Sequence, residues 1–266
     1  MKIAVAQISC VLGEVPANLA KVRDFAQRAK DSGADLILFP EMTDTGYAMS
    51  VIREHATGWE DGAVSEIQKV AAANSIAIVA GVSEREEANI FNAQVVIDSL
   101  GKIVAKYRKT HLFTPAPIEE HTCFSPGAEL ESFSFGGMQF ALSICYDLRF
   151  PEVYRTQAIE HAANVFLISS AWPFPRVEHL RTLALARAIE NQSYVVLSNR
   201  VGTDAGITFC GSSTIVDPYG VTLAGAPSDR EELLYAEISR DVLDATRKNA
   251  SYLEHRRPEL YRRKKL

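Results

Sequence analysis

The chain has 266 residues, 47% of them hydrophobic and 23% charged, an ordinary globular composition with enough apolar mass for a sizeable core. A formal net charge of −5 gives no electrostatic pull toward nucleic acid or an anionic membrane, and no run approaches the roughly 20 apolar residues of a membrane span. Cys10, Cys123, Cys145 and Cys210 stand far apart without a CxxC pair, so a disulfide framework is not expected at this length.

The opening MKIAVAQISC imitates a lipoprotein signal, but its apolar run covers only residues 3–6 before Gln7, too short for a signal core. It predicts instead a first buried strand over 3–8 and a protein of the reducing cytoplasm. Leu19, Val22, Phe25, Ala26 and Ala29 then recur at helical spacing. Residues 35–39 predict a second buried strand, stopped by Pro40, and a helix around 63–74 leads to a strand over 76–82. Strands near 90–98 and 102–108 are joined by a hairpin turn at Ser99-Leu100-Gly101.

Residues 110–128 hold Pro115, Pro117 and Pro126 and little periodicity; a loop of this length inside a compact domain is often functional. A second hairpin, turning at Gly136-Gly137, sends a strand through 140–144 to Cys145. A helix over 151–163, a strand over 164–170 and a helix over 177–191 follow. Strands over 194–198, 213–216 and 233–238 come next, with Asp217-Pro218-Tyr219-Gly220 as a turn. A helix from Asp241 to His255 precedes a basic tail (Arg256, Arg257, Arg262, Arg263, Lys264, Lys265).

The mixture predicts a layered α/β fold with helices outside its sheets. With no linker or internal repeat, residues 1–266 are expected to form one domain, 241–266 being its C-terminal helix and tail. The tail lacks interleaved aromatics for a nucleic acid, and reads as a solvated arm or one reaching over a partner subunit.

Three apolar runs end abruptly in a reactive residue: residues 36–40 at Glu41, 103–108 at Lys109, and 141–144 at Cys145. Ligands of α/β sheets gather beyond the carboxyl ends of strands, so a carboxylate, an ammonium and a thiol can converge on one cleft. A free thiol, with a pKa of about 8.5, needs a base or a nearby cation to react at neutral pH. Glu41 can take its proton and later pass one to a leaving amine. Lys109 can stabilise the thiolate and then an oxyanion, with the backbone N–H of Tyr146 as a second donor.

Each residue also has a plainer reading. Cysteine is among the most buried residue types, and Cys10, Cys123 and Cys210 read as core filler. Taken singly, Glu41 reads more readily as a cap and Lys109 as a solvated strand-end charge; their shared placement brings the joint reading level with these. Of six histidines, His111 is the best rival partner for a thiol. HExxH, GxxxxGK[ST], strand-borne GxGxxG and GxSxG are all absent, which leaves zinc, P-loop, dinucleotide and serine-hydrolase chemistry without support.

The segments LILFPEMTDTGY around Glu41, KYRKTHLF around Lys109 and SICYDLRFPEVYR around Cys145 resemble the nitrilase superfamily of carbon–nitrogen hydrolases. So do LARAIENQSYVVLSNRVG and GSSTIVDPYG downstream, and the resemblance runs from the AVAQ strand to the Pro218-Tyr219-Gly220 turn. It implies a four-layer α-β-β-α sandwich and no metal or organic cofactor. It implies Glu41 as general base, Lys109 as thiolate and oxyanion partner, and Cys145 as a nucleophile that forms a thioester. It also implies a homo-oligomer, dimer or larger, built through the helix after the cysteine and the C-terminal region. Family spacing counted back from Pro126 places a second glutamate at Glu120, with Glu119 as the adjacent alternative, to position Lys109 or the substrate amide; an exposed loop acid is the plainer reading.

Nitrilases proper usually follow the cysteine with Trp-Glu. Here Tyr146-Asp147-Leu148-Arg149-Phe150-Pro151-Glu152 resembles the amidase branches, particularly those acting on amides of dicarboxylic or 2-oxo acids, the ω-amidase type. A substrate carboxylate favours a bidentate arginine, and Arg149 and Arg176 are the candidates, although Arg149 reads equally as a structural partner of a nearby acid. Trp172-Pro173-Phe174-Pro175 follows a strand and predicts a pocket wall, with simple packing as the alternative. The expected activity is hydrolysis of a small linear amide with release of ammonia, ω-amidase-like. An N-carbamoyl amine or amino acid, or a deaminated glutathione-like amide, is the alternative within the class, and a nitrile fits less well. A catalytically silent interaction module is the alternative of another class, disfavoured by the intact Glu41, Lys109 and Cys145.

Overall fold

The alternation of the first strand decides which core each side chain enters. In the computed structural model, which describes residues 1–261, β1 (Lys2–Gln7) sends Ile3 and Val5 into the core shared with a second sheet, and Ala4 and Ala6 into a core beneath helices. The same division recurs along β2 (Leu36–Leu38), where Leu36 and Leu38 face the second sheet and Ile37 the helices. The helices of this outer layer are α1 (Val15–Asp31), with Leu19, Val22, Phe25, Ala26 and Ala29 buried, and α3 (Gly62–Asn74); the short α2 (Met49–His55) lies between them in sequence. Next come β3 (Ala77–Glu86), β4 (Asn89–Ile97) and β5 (Ile103–Arg108).

The second half builds a similar pair of layers from β6 (Ser132–Phe135), β7 (Met138–Ile144), α4 (Pro151–Glu160), β8 (Val165–Ser170), α5 (Val177–Asn191) and β9 (Tyr194–Asn199). A small hairpin, β10 (Thr203–Asp204) with β11 (Ile207–Thr208), precedes β12 (Thr214–Val216) and β13 (Thr222–Gly225). β14 (Glu232–Glu237) crosses back to pair antiparallel with β1, and α6 (Arg240–Asn249) and α7 (Pro258–Tyr261) end the described chain.

Two six-stranded sheets result, ordered β14-β1-β2-β3-β4-β5 and β13-β12-β9-β8-β7-β6. β1, β2 and β3 run parallel in one, β7, β8 and β9 in the other, and the flanking strands are antiparallel. The expected α-β-β-α sandwich is thus present. Buried hydroxyls tie the sheets together: Ser169 Oγ donates to Phe39 O at 2.8 Å and accepts from Gln94 Nε2 at 2.9 Å, while Ser198 Oγ donates to Ala6 O at 2.6 Å. These bonds fix how the two sheets align, and with it where the strand ends meet.

The differences from the sequence reading lie at element ends. Helical spacing predicts α4 to residue 163, but the helix stops at Glu160. The helix expected to reach His255 ends at Asn249, where the buried Gln192 intervenes: its Nε2 donates to Ala250 O at 2.5 Å and its Oε1 accepts from Tyr252 N at 3.1 Å. Gln192 thus takes over backbone groups that a longer helix would have paired internally. α2, the β10–β11 hairpin and β13 carry too little buried apolar pattern to read from sequence; α2 buries only Ile52, and β13 lies largely at the surface. Residues 262–266 of the basic tail lie outside the described residues. Among the described residues no helix is long and apolar enough to cross a membrane.

One glycine sets the approach of β3 to the segment after β2. A Cβ on Gly81 would come within 2.6 Å of both the Glu41 Cα and the Pro40 carbonyl oxygen, and Gly81 N donates to Pro40 O at 3.1 Å. Gly81→Ala is expected to cost about 1–3 kcal/mol by overpacking and to displace Glu41. Urea unfolding together with turnover assays checks this; an unchanged midpoint would show that the Pro40–Glu41 backbone yields freely.

Candidate active site

Glu41 follows β2, and its backbone N–H donates to Ser170 O, at the end of β8 in the other sheet, at 3.4 Å. Lys109 follows β5; its N–H donates to Asn92 O and its carbonyl accepts from Gly127 N, both at 2.8 Å. Glu120 opens a 3-10 turn within the long loop, whose backbone is tied to Phe113 by a bond at 2.9 Å. The three side chains meet in the interior, all fully buried: Lys109 Nζ lies 2.9 Å from Glu41 Oε1 and 2.8 Å from Glu120 Oε1. Glu119, the adjacent alternative, is exposed.

Every carboxylate oxygen of this cluster is met by donors. Asn92 Nδ2 donates to Glu41 Oε1 at 2.6 Å and to Glu120 Oε1 at 3.1 Å, bridging the two acids. The Tyr47 hydroxyl donates to Glu120 Oε1 at 2.6 Å. Two backbone amides complete the set, Ala171 N on Glu41 Oε2 at 2.7 Å and Phe113 N on Glu120 Oε2 at 2.6 Å. The sequence reading missed Asn92, Tyr47 and both amides. Tyr47 closes the LILFPEMTDTGY segment and was within reach; Asn92 sits in a strand with nothing local to distinguish it, and the amides leave no mark on side-chain identity.

Cys145 follows β7 in the left-handed region, φ 44°, a conformation that costs a non-glycine residue about 1–3 kcal/mol. The turn it opens is anchored from the helix layer by Arg187, whose Nη2 donates to Leu148 O at 2.8 Å. Cys145 is 8% exposed, and its thiol opens onto a cleft lined also by Tyr146, Ala171 and Trp172. Its sulfur stands close enough to the Ala171 N–H for that amide to stabilise a thiolate, and the same N–H serves Glu41. Thiol and carboxylate are therefore neighbours across one backbone amide.

Burial dominates the electrostatics. It raises the Cys145 pKa well above the ordinary thiol value, and the Glu41 charge adds to the effect while Lys109 opposes it. Glu41 is raised too, by burial first and by Glu120, against the pull of Lys109. Burial alone would depress Lys109, but the Glu120 and Glu41 carboxylates more than compensate and hold its pKa above the usual lysine value. The ammonium is therefore permanently charged. Burial and the Glu120 charge likewise push Tyr47 well up, keeping its hydroxyl a donor.

Tyr47, Tyr146, Trp172, Arg149 and Arg176 line the cleft with Cys145. Trp172 is nearly fully buried, with Nε1 donating to Arg176 O at 3.0 Å, and the Arg149 guanidinium lies over its ring at 4.6 Å. Tyr146 packs edge-on against Phe113 and Phe150. Neither Arg149 nor Arg176 has a carboxylate partner among the described residues, so the structural ion pair considered for Arg149 is not made. Its Nη2 instead meets His179 Nδ1 at 3.3 Å, and its pKa is lowered by partial burial and by the nearby Arg176 charge. His111 is held away from the thiol: Nδ1 lies 2.9 Å from Asp147 Oδ1, and the ring stacks on Phe150 at 3.9 Å. Cys10 and Cys210 are buried and Cys123 is half-buried, none of them lining the cleft. No His/Cys/Asp/Glu cluster suited to a metal ion occurs among the described residues.

A sandwich of two sheets whose strand ends deliver a buried glutamate and lysine beside a cysteine, with a second glutamate from a loop, defines a class of hydrolase, and the comparisons agree. The Carbon-nitrogen hydrolase family profile matches residues 2–248, and the chain belongs to that family, hydrolases of carbon–nitrogen bonds other than peptide bonds. The chain is 36% identical over 262 residues to the 2-oxoglutaramate amidase of Bacillus subtilis (strain 168), covering 96% of this chain and 98% of that protein. It is 32% identical to an (R)-stereoselective amidase from Pseudomonas sp, covering 97% and 92%. The amidase of Nesterenkonia sp. AN1, from the nitrilase superfamily, superimposes with a TM-score of 0.88 at 30% identity, covering 98% of this chain and 95% of that one. One structure of that enzyme shows covalent addition of the acetamide moiety of fluoroacetamide at its active-site cysteine.

Lys109→Met leaves two carboxylates buried without their cation, an expected cost of about 3–5 kcal/mol at pH 8. Glu41 already has a raised pKa with Lys109 present, and losing the ammonium raises it further. The folded variant then binds more protons than the unfolded chain above the ordinary carboxylate pKa of about 4.3, so its stability falls as pH rises. Urea unfolding should show a smaller deficit against wild type at pH 5.5 than at pH 8. A deficit independent of pH would mean that the acids are not sharing one ammonium.

Proposed function

We propose that this protein is an amidase that works through Cys145 on a small linear amide bearing a carboxylate, in the manner of an ω-amidase. The observation that carries the substrate class is the pair Arg149 and Arg176, two guanidiniums without acid partners among the described residues, lining the cleft that holds the cysteine. A carboxylate at the far end of the substrate satisfies both and brings the amide carbonyl to the sulfur. The 2-oxoglutaramate amidase, similar over nearly the whole chain, is named for such an amide.

The reaction follows from the cluster. Glu41 takes the Cys145 proton as the sulfur attacks the carbonyl carbon, and the displaced electron pair moves onto the carbonyl oxygen. With thiol and carboxylate both raised by burial, the proton rests on sulfur until substrate arrives, and its transfer accompanies attack. The oxyanion is stabilised by the Lys109 ammonium and the backbone N–H of Tyr146. Collapse breaks the C–N bond, protonated Glu41 returns its proton to the nitrogen, and ammonia leaves a thioester on Cys145. Glu41 then deprotonates water for attack on the thioester, and collapse releases the acid and restores the thiol. Glu120 holds Lys109 in place throughout, and Trp172 and Tyr146 wall the substrate.

We further infer a cytoplasmic homodimer in which residues 1–266 form one catalytic domain. Four free cysteines are in keeping with a reducing compartment. Ile159 of α4 and Tyr261 of α7 are exposed apolar side chains lining one shared surface cleft, suited to a second copy.

Ammonia release across 2-oxo dicarboxylate monoamides, succinamate, butyramide, an N-carbamoyl amino acid and an aliphatic nitrile tests the reading. The acidic amides are expected to be turned over best, and Cys145→Ala to be inactive. Arg149→Met and Arg176→Met should each lower kcat/KM for acidic amides by about 10- to 100-fold, as expected for one lost charge-assisted bond, while butyramide changes within about threefold. Equal losses on acidic and neutral amides, or a preference for the carbamoyl compound or the nitrile, would overturn the substrate assignment.

A further inference from the structure

The turn that carries Cys145 and the segment that carries Lys109 are joined through one buried carboxylate. Asp147 is fully buried. Its Oδ2 accepts from the Ile144 backbone N–H at 2.9 Å and from the Tyr107 hydroxyl at 2.7 Å. Its Oδ1 accepts from the His111 backbone N–H at 3.1 Å and the Thr110 hydroxyl at 3.2 Å, and lies 2.9 Å from His111 Nδ1. Tyr107, Thr110 and His111 flank Lys109 on both sides, and Ile144 immediately precedes Cys145. Five polar groups from two separate strand ends thus converge on a side chain that touches neither the thiol nor the ammonium.

We propose that Asp147 is a positioning residue that fixes the Cys145 sulfur relative to the Lys109 ammonium. The proposal rests on Cys145 being the nucleophile. The left-handed backbone at Cys145 persists only where its surroundings over-determine it, and the Ile144 N–H bond to Asp147 is the constraint on its N-terminal side. On the other side, the Lys109 backbone is held by Asn92 and Gly127, and Asp147 sets where the chain goes next. An ionised carboxylate suits this place because it only accepts, and all its partners can donate. An asparagine keeps the shape but must point an N–H₂ at donors on one side.

The test compares Asp147→Asn, Asp147→Ala and Tyr107→Phe with wild type, with kinetics normalised to titrated thiol and with the rate of Cys145 alkylation by fluoroacetamide followed by mass. A displacement of an ångström or less at the reacting atoms is expected to lower kcat for Asp147→Asn by about 100-fold, with KM within about threefold and alkylation slowed by at least about tenfold. Tyr107→Phe, which removes one donor and keeps the ring, should fall in the same direction by about threefold to tenfold. Wild-type kcat per titrated thiol and wild-type alkylation in Asp147→Asn would overturn the proposal, whatever the melting temperature. If Asp147→Ala does not fold, Asp147→Asn and Tyr107→Phe decide. Turnover surviving in Cys145→Ala would instead refute the nucleophile assignment, an outcome separate from the alkylation readout.

Discussion

One ammonium held between two carboxylates, out of water, is the arrangement on which the rest of this structure depends. Removing three charges from water costs several kcal/mol each even after relaxation, and Coulomb attraction recovers that only with good geometry and saturated hydrogen bonding. The surroundings of Glu41 and Glu120 meet that condition: Lys109 and Asn92 serve both acids, Tyr47 serves Glu120, and an amide from each of two loops takes a remaining oxygen. Bonds of this type to charged groups contribute roughly 1.5–3 kcal/mol each. Burial first, and the Glu41 charge after it, make Cys145 beside the cluster hold its proton more tightly than a free thiol, with Lys109 opposing them. On the proposed mechanism the resting site is chemically quiet, and a carbonyl carbon must arrive before the proton has reason to move.

The two-sheet architecture makes such a cluster possible. A single sheet delivers its strand ends to one edge, where water has access from the open face. Here a second sheet packs across the first, the segment after β2 meeting the end of β8 where Glu41 N donates to Ser170 O, and Ser169, Gln94 and Ser198 lock the alignment through bonds buried between the sheets. The Ala171 amide shows how closely fold and site are coupled: it belongs to the second sheet, yet it completes Glu41 of the first. A small slide of one sheet over the other would undo the acid's solvation before it altered much of the apolar core.

How much of this could be read beforehand depended on whether the determinant was local. Glu41, Lys109 and Cys145 each end a visible apolar run, so their convergence was predictable from strand geometry, and the two strongest helices, α1 and α5, declared themselves by spacing or by flanking strands. Glu120 came from a resemblance; nothing in its loop says that it is buried while Glu119 is exposed, because that depends on the left-handed turn at Glu119, φ 47°. Asn92 and Asp147 were opaque for a different reason. Each is a polar residue whose partners are supplied from elsewhere in the chain, 51 residues away for Asn92 and Glu41, and 40 for Asp147 and Tyr107. The end of α6 was misplaced likewise, because Gln192, far upstream, takes the Ala250 carbonyl just past it.

The cleft has an electrical polarity that bears on direction as well as recognition. Cys145 lines it with the fully buried Glu41–Lys109–Glu120 cluster behind the Ala171 amide, and Arg149 and Arg176 line it as well. On the proposed reading, an amide with a distal carboxylate can bind productively in only one sense, since reversal would bring an anion against two buried acids and leave both arginines unsatisfied. The neutral amide end is what the deep site tolerates. Hydrolysis converts that end into a second carboxylate, formed beside Glu41 after it has surrendered its proton, in a place of low effective dielectric where like charges repel strongly. The chemistry itself therefore turns a well-matched substrate into a poorly matched product, and the Glu41 charge, which adds to burial in making Cys145 reluctant to ionise, also favours release of the acid.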